Sequence, residues 1–160
     1  MESEHSTHDV QSLPAKVLTV AGSAERELAL FSDTLSHRLW GSVEFCEIVR
    51  TLVIRHERNR VRVLVRQPEQ VLADGAHRLI ELARQIPSRI QLRGAVAPAD
   101  VIREEWLIAD RRGVVQRHDT AGDQAVARPD DPGRASALLA RFNTYWEHGS
   151  RSREFDELRL

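Results

Sequence analysis

Two spacings of apolar residues alternate along the chain and divide it into elements. Val61 to Val65 (VRVLV) is a short β-branched run closed by Gln67-Pro68, which predicts a strand. Glu27 to Phe31 (ELALF), bounded by Ser32-Asp33, and Arg89 to Arg93 (RIQLR) have the same length and character. Lys16 to Ala21 (KVLTVA), ended by Gly22-Ser23, predicts a further strand near the N-terminus. Between these runs the period lengthens. Phe45, Val49, Leu52 and His56 fall at i, i+4, i+7 and i+11, so Val43 to Glu57 predicts a helix, with a short helical turn before it around Leu35 to Trp40. Leu72, Ala76, Leu79, Ile80, Ala83 and Ile86 predict a second helix, which Pro87 stops. Glu105 to Ala109 and Val114 to Gln116 flank Asp110-Arg111-Arg112-Gly113, a hairpin turn, and Gln124 to Arg128 predicts one more short strand. Asp131-Pro132 then opens a last helix whose stripe is Leu138, Leu139, Phe142, Tyr145 and Trp146.

Strands alternating with helices, then a hairpin, then a helix predict an α/β domain: a single mixed sheet flanked by helices. Residues 1–14 are polar and read as a flexible tail, leaving 15–160 as one domain. A chain of 160 residues is long enough to bury a core without disulfides or a metal. Cys46 is the single cysteine, so an internal disulfide is excluded, and its apolar neighbours Phe45, Ile48 and Val49 suit an inert buried thiol. The N-terminus lacks an apolar signal core and no run approaches the ~18 apolar residues of a membrane span, so a cytoplasmic protein is expected. A net charge of -1 gives no general attraction to nucleic acid or to an anionic membrane. Lys16 is the one lysine among 23 basic residues. The arginines are spread along the chain against 24 acids, as a GC-rich coding sequence would produce.

Several of these segments together carry a resemblance. The run VRVLV, the segment HRLIELARQIPSRIQLR, the hairpin EEWLIADRRGVV and the final RFNTYWEHGS resemble the phospholipase D superfamily half-domain. More closely, they resemble a bacterial domain of unassigned role sometimes fused to GNAT-type acetyltransferases. The resemblance runs from about Glu27 to the C-terminus. Active members of the superfamily carry His-x-Lys-x-x-x-x-Asp on the strand entering this hairpin. With the family's aspartate placed on Asp110, Arg103 stands where the histidine belongs and Glu105 where the lysine belongs. Arginine stays protonated and cannot replace the nucleophile, and a carboxylate at the lysine position repels a phosphate. The Gly-Ser-x-Asn element expected after the hairpin is missing, since residues 116–119 read QRHD. The resemblance therefore implies a phospholipase D-like half-domain with a degenerate active site, a binding or regulatory module without phosphodiesterase activity. Half-domains of this superfamily commonly pair around a shared cleft, which implies a homodimer. The fusion implies an alternative role beside a separately encoded acetyltransferase.

No GxGxxG, GxxxxGKS, HExxH or GxSxG signature is present, and no cofactor or metal is expected. His118-Asp119 has neither the spacing nor a third ligand for a metal. One region invites a ligand. His77 lies near the start of a helix, with Asp74 or Gly75 at its N-cap, and Arg66 leaves the preceding strand at the same sheet edge. Asp33 leaves the earlier strand and would complete a polar pocket. Free N–H groups and a guanidinium at that edge would take an anionic small molecule, or would support an uncharacterised enzyme. The plainer reading has His77 hydrogen-bonding and fixing the Gln67–Asp74 loop. Arg50, Arg55, Arg58, Arg60, Arg62 and Arg66 span a helix end, a loop and a strand without interleaved aromatics, which reads as a solvated rim with ion pairs.

Overall fold

The computed structural model describes residues 11–149. Six strands form one open mixed sheet: β1 (Glu27–Ser32), β2 (Arg60–Val65), β3 (Ile90–Gly94), β4 (Glu105–Ala109), β5 (Gly113–Arg117) and β6 (Val126–Arg128), in the order β3-β2-β1-β4-β5-β6. Strands β1, β2 and β3 are parallel, whereas β4, β5 and β6 run as an antiparallel meander from the other side of β1. The expected α/β class and the single mixed sheet are observed.

Alternation along the strands sorts the core into two halves. Leu28 and Leu30 of β1, Val61, Val63 and Val65 of β2, and Leu107 and Ala109 of β4 face one layer of helices. That layer contains α1 (Leu13–Gly22), α2 (His37–Trp40), α3 (Val43–Arg55), α4 (Pro68–Ala73) and α5 (Arg78–Gln85). The intervening Ala29, Phe31, Leu64, Trp106 and Ile108 face α6 (Pro132–His148), which supplies Leu138, Leu139, Phe142 and Trp146. Phe31 stacks on Trp106 at 4.7 Å between centroids.

Two expectations need correction. Lys16 to Ala21 is not a strand: it lies within α1, which starts inside the expected tail. Ser12 caps that helix by accepting from the Ala15 N–H, and Pro14 occupies its first turn. Leu13, Val17, Val20 and Ala21 are buried, an i, i+4, i+7, i+8 stripe that outweighs the β-branched composition. Of the expected tail, residues 1–10 lie outside the described residues. The second correction concerns the segment after β2, where the expected helix is two short ones. Gly75 separates α4 from α5 with φ +93°, a left-handed conformation that glycine adopts without strain.

Candidate functional site at the carboxyl edge of the sheet

Chain order decides where a site should lie. From β1 the chain moves outward through β2 and β3, then returns to pair β4 on the opposite side of β1. Such a reversal leaves a crevice outside the carboxyl ends of the parallel strands, where α/β sheets bind ligands. In this protein the junction between the end of β1 and the start of β4 holds Ser32, Glu105 and Arg117. All three are buried, at 0%, 3% and 8% exposure.

The hairpin register brings Glu105 directly opposite Arg117. Arg117 Nη2 donates to Glu105 Oε1 at 2.6 Å, and Ser32 Oγ donates to Oε2 at 2.7 Å. Ser32 Oγ also accepts from the Leu35 N–H at 3.0 Å, at a residue held left-handed with φ 53°. Arg117 Nη1 donates to the Gly122 carbonyl at 3.1 Å and lies 3.8 Å from Asp123, which pairs with Arg38 at 2.6 Å. Arg38 holds the exposed Asp123 carboxyl below its usual range by hydrogen bonding to it. The turn after β5 is thereby fastened to Arg117 and Arg38. Ser32 and Glu105 are at nucleophile–base distance. Complete burial of the serine and neutralisation of the carboxylate by Arg117 leave no approach for a reactant.

Arg66 and Asp33 do meet at this edge. Asp33 Oδ1 accepts from Arg66 Nε at 2.7 Å and from Gln67 Nε2 at 2.9 Å, while Oδ2 accepts from Thr120 Oγ1 at 3.0 Å. Arg66 Nη2 also pairs with Asp33, and Nη1 donates to the Asp100 carbonyl at 3.2 Å. His77 reaches this edge only through Leu35, whose N–H donates to Ser32 Oγ. Among the described residues no hydrogen bond or ion pair joins it to Arg66 or Asp33. It is itself the N-cap of α5, replacing the expected Asp74 or Gly75, because its Nδ1 accepts from the Leu79 N–H at 3.1 Å. An accepting Nδ1 leaves the proton on Nε2, which donates to the Leu35 carbonyl at 2.8 Å. Both ring nitrogens are engaged and the side chain is buried. Burial lowers the His77 pKa, reinforced by His37, whose ring lies 4.5 Å away, and by Arg78.

The remaining sequence candidates scatter. Arg103 is exposed just before β4. Asp110 occupies the opposite end of the sheet, in the hairpin turn, with φ 54°. Its carboxylate accepts from the backbone N–H groups of Glu25, Arg26 and Glu27 at 2.6, 2.9 and 2.9 Å, joining the entry to β1 with the turn after β4. Cys46 is buried in α3, and burial pushes its thiol up to about 11, which removes it as a thiolate nucleophile near neutral pH. His118 is exposed, 3.8 Å from Glu104, and no group of three or more metal-ligating side chains is present among the described residues. The arginine run does not converge. Arg62 lies over Phe142 and Trp146 and donates to Asn143, Arg60 donates to the carbonyls of Glu57 and Asn59, and Arg50, Arg55 and Arg58 are exposed.

Sequence reasoning missed Arg117, Ser32 and the Arg38–Asp123 clasp. The hairpin carried part of the signal. With its turn at 110–112, residues whose numbers sum to 222 stand opposite, so Glu105 faces Arg117. Ser32 and Arg38 come from other parts of the chain, and no local spacing announces them. No described helix is long and apolar enough to cross a membrane. No curated protein matches the chain. The pattern of one family, described as a domain of unknown function (DUF7931), matches residues 9–158. With that match covering nearly its whole length, the chain belongs to the DUF7931 family of domains of unknown function.

Proposed function

We propose that the protein is a non-catalytic, phospholipase D-like binding or regulatory module. The observation that carries this reading is the buried Glu105–Arg117 pair with Ser32 where the end of β1 meets the start of β4. In the resemblance, Glu105 occupies the lysine position that would meet a phosphate. Here its charge is spent on an arginine from the neighbouring strand. Arg103, at the histidine position, is exposed, and a guanidinium cannot serve as the covalent nucleophile. The third family position, Asp110, fastens three backbone amides at the far end of the sheet, which supports a structural reason for an aspartate there.

A ligand for such a module is an anion that engages Arg66. The Asp33 carboxylate already answers that guanidinium, so an anion must compete with it. Assays of bis-p-nitrophenyl phosphate hydrolysis and of anion-induced thermal shifts test the two parts. The reading expects no turnover above buffer. Phosphate, sulfate, nucleotides or acyl-CoA should raise the melting temperature more in Asp33→Asn than in wild type, and not at all in Arg66→Ala. Steady hydrolysis lost on Glu105→Gln would overturn the non-catalytic reading. Equal anion responses in wild type, Asp33→Asn and Arg66→Ala would remove the ligand assignment.

A further inference from the structure

One helix face is unusual for what it leaves in solvent. Helix α3 buries Phe45, Cys46, Val49, Leu52 and Val53 against the sheet. On its opposite side, Val43 and Ile54 are 53% and 56% exposed, two of the four large apolar residues that stand out from the described surface. Eleven residues are close to three helical turns, so Val43 and Ile54 lie on one line along the helix. Glu47, Arg50 and Thr51, all exposed, fall between them on that same face. Neither Glu47 nor Arg50 forms an ion pair among the described residues.

The order along this face is apolar, acidic, basic, apolar, which is self-complementary in reverse. Laid antiparallel on a second copy of itself, the helix can be set so that facing residue numbers sum to 97. Val43 then meets the second copy's Ile54, and Glu47 meets the second copy's Arg50. Two-fold symmetry repeats both contacts, giving two apolar contacts and two ion pairs in one register. Glu44 and Arg55 lie near each other in the same arrangement, adding attraction of the same sense. A parallel arrangement would set like charges side by side. The flanks also suit helix packing. Shallow grooves of about 200 and 170 Å³ run on either side of α3, one floored by Ala24, Ile48 and Leu52 and the other by Cys46 and Leu82. Ridges from a second helix pack into such grooves.

We propose that α3 is the contact face of a homodimer, in which two copies of the helix pair antiparallel through Val43–Ile54 and Glu47–Arg50 contacts. The contact lies on the helix layer, away from the Ser32–Glu105–Arg117 cluster, so it does not rest on the functional reading of that edge. Its polar half is exposed to salt, and association weakens as ionic strength rises.

Sedimentation equilibrium over a wide concentration range, with Glu47→Arg and Arg50→Glu as variants, tests the proposal. Wild type should show a monomer–dimer equilibrium. Each single variant should sediment as a monomer, because one chain then carries only cations at both positions and the other only carboxylates. Mixing the two variants should restore a dimer containing one copy of each, and the double variant Glu47→Arg/Arg50→Glu should dimerise alone. Both positions are exposed, and unchanged circular dichroism verifies that each variant folds. A wild type that stays monomeric at every concentration overturns the proposal. So does dimerisation of both single variants at wild-type strength, or failure of their mixture to associate.

Discussion

At the scale of single residues, His77 and Asp110 show how one side chain can organise distant backbone. His77 caps α5 through one nitrogen and holds the Leu35 carbonyl through the other, so it must be neutral to do both. Burial lowers its pKa below the ordinary 6.5. The unfolded chain therefore takes up the proton first, and stability is retained above about pH 6.5 and lost as pH falls below it. Urea unfolding of wild type and His77→Asn from pH 7.5 to 5 checks this. Asparagine still accepts at an N-cap but does not titrate. The wild-type curve should fall more steeply below pH 6.5, by up to about 1.4 kcal/mol per pH unit. Parallel curves would show that the imidazole does not titrate as described. For Asp110, the alanine variant removes the acceptor for three amides and should lose about 1–3 kcal/mol, with Asp110→Asn losing less. Equal stability of Asp110→Ala and wild type in urea would contradict that role. In the sequence Asp110 is legible only as the first residue of a hairpin turn. Its real partners, Glu25 to Glu27, lie more than eighty residues away, where turn chemistry cannot point.

At the scale of elements, legibility follows how strongly one period dominates. The core of the last helix is legible because Asp131 and Pro132 mark its start and a five-residue stripe marks its face. Trp146 closes that stripe, buried beside Phe142 and covered by Arg93 at 4.2 Å from its ring. Trp146→Ala should cost about 3–5 kcal/mol, read as a lower melting temperature and urea midpoint. An unchanged midpoint would place α6 outside the cooperative core. Helix α1 departs from its sequence pattern for the opposite reason. KVLTVA is β-branched and ends at a Gly-Ser turn signal, while the helix signals, the Ser12 cap and Pro14, sit before it in a polar stretch. Over the α4–α5 segment the pattern predicts one helix because apolar spacing continues across a break. Only the left-handed Gly75 and the histidine cap expose the division.

At the scale of the whole molecule, strand order is what gives the carboxyl edge its meaning. Alternating strands and helices with a terminal hairpin were enough to anticipate one mixed sheet. They did not place β4 beside β1, the pairing that closes Ser32, Glu105 and Arg117 into one cluster. A cluster that serves stability and one that serves chemistry respond oppositely to mutation, since functional groups are commonly held at a cost to stability. A double-mutant cycle on Glu105→Gln and Arg117→Met, followed by urea unfolding, separates them. If the pair is a buried structural lock, each single variant should lose about 3–5 kcal/mol. The double variant should lose clearly less than the sum, because neither charge is left without its partner. Single variants as stable as wild type, or losses that simply add, would contradict the account.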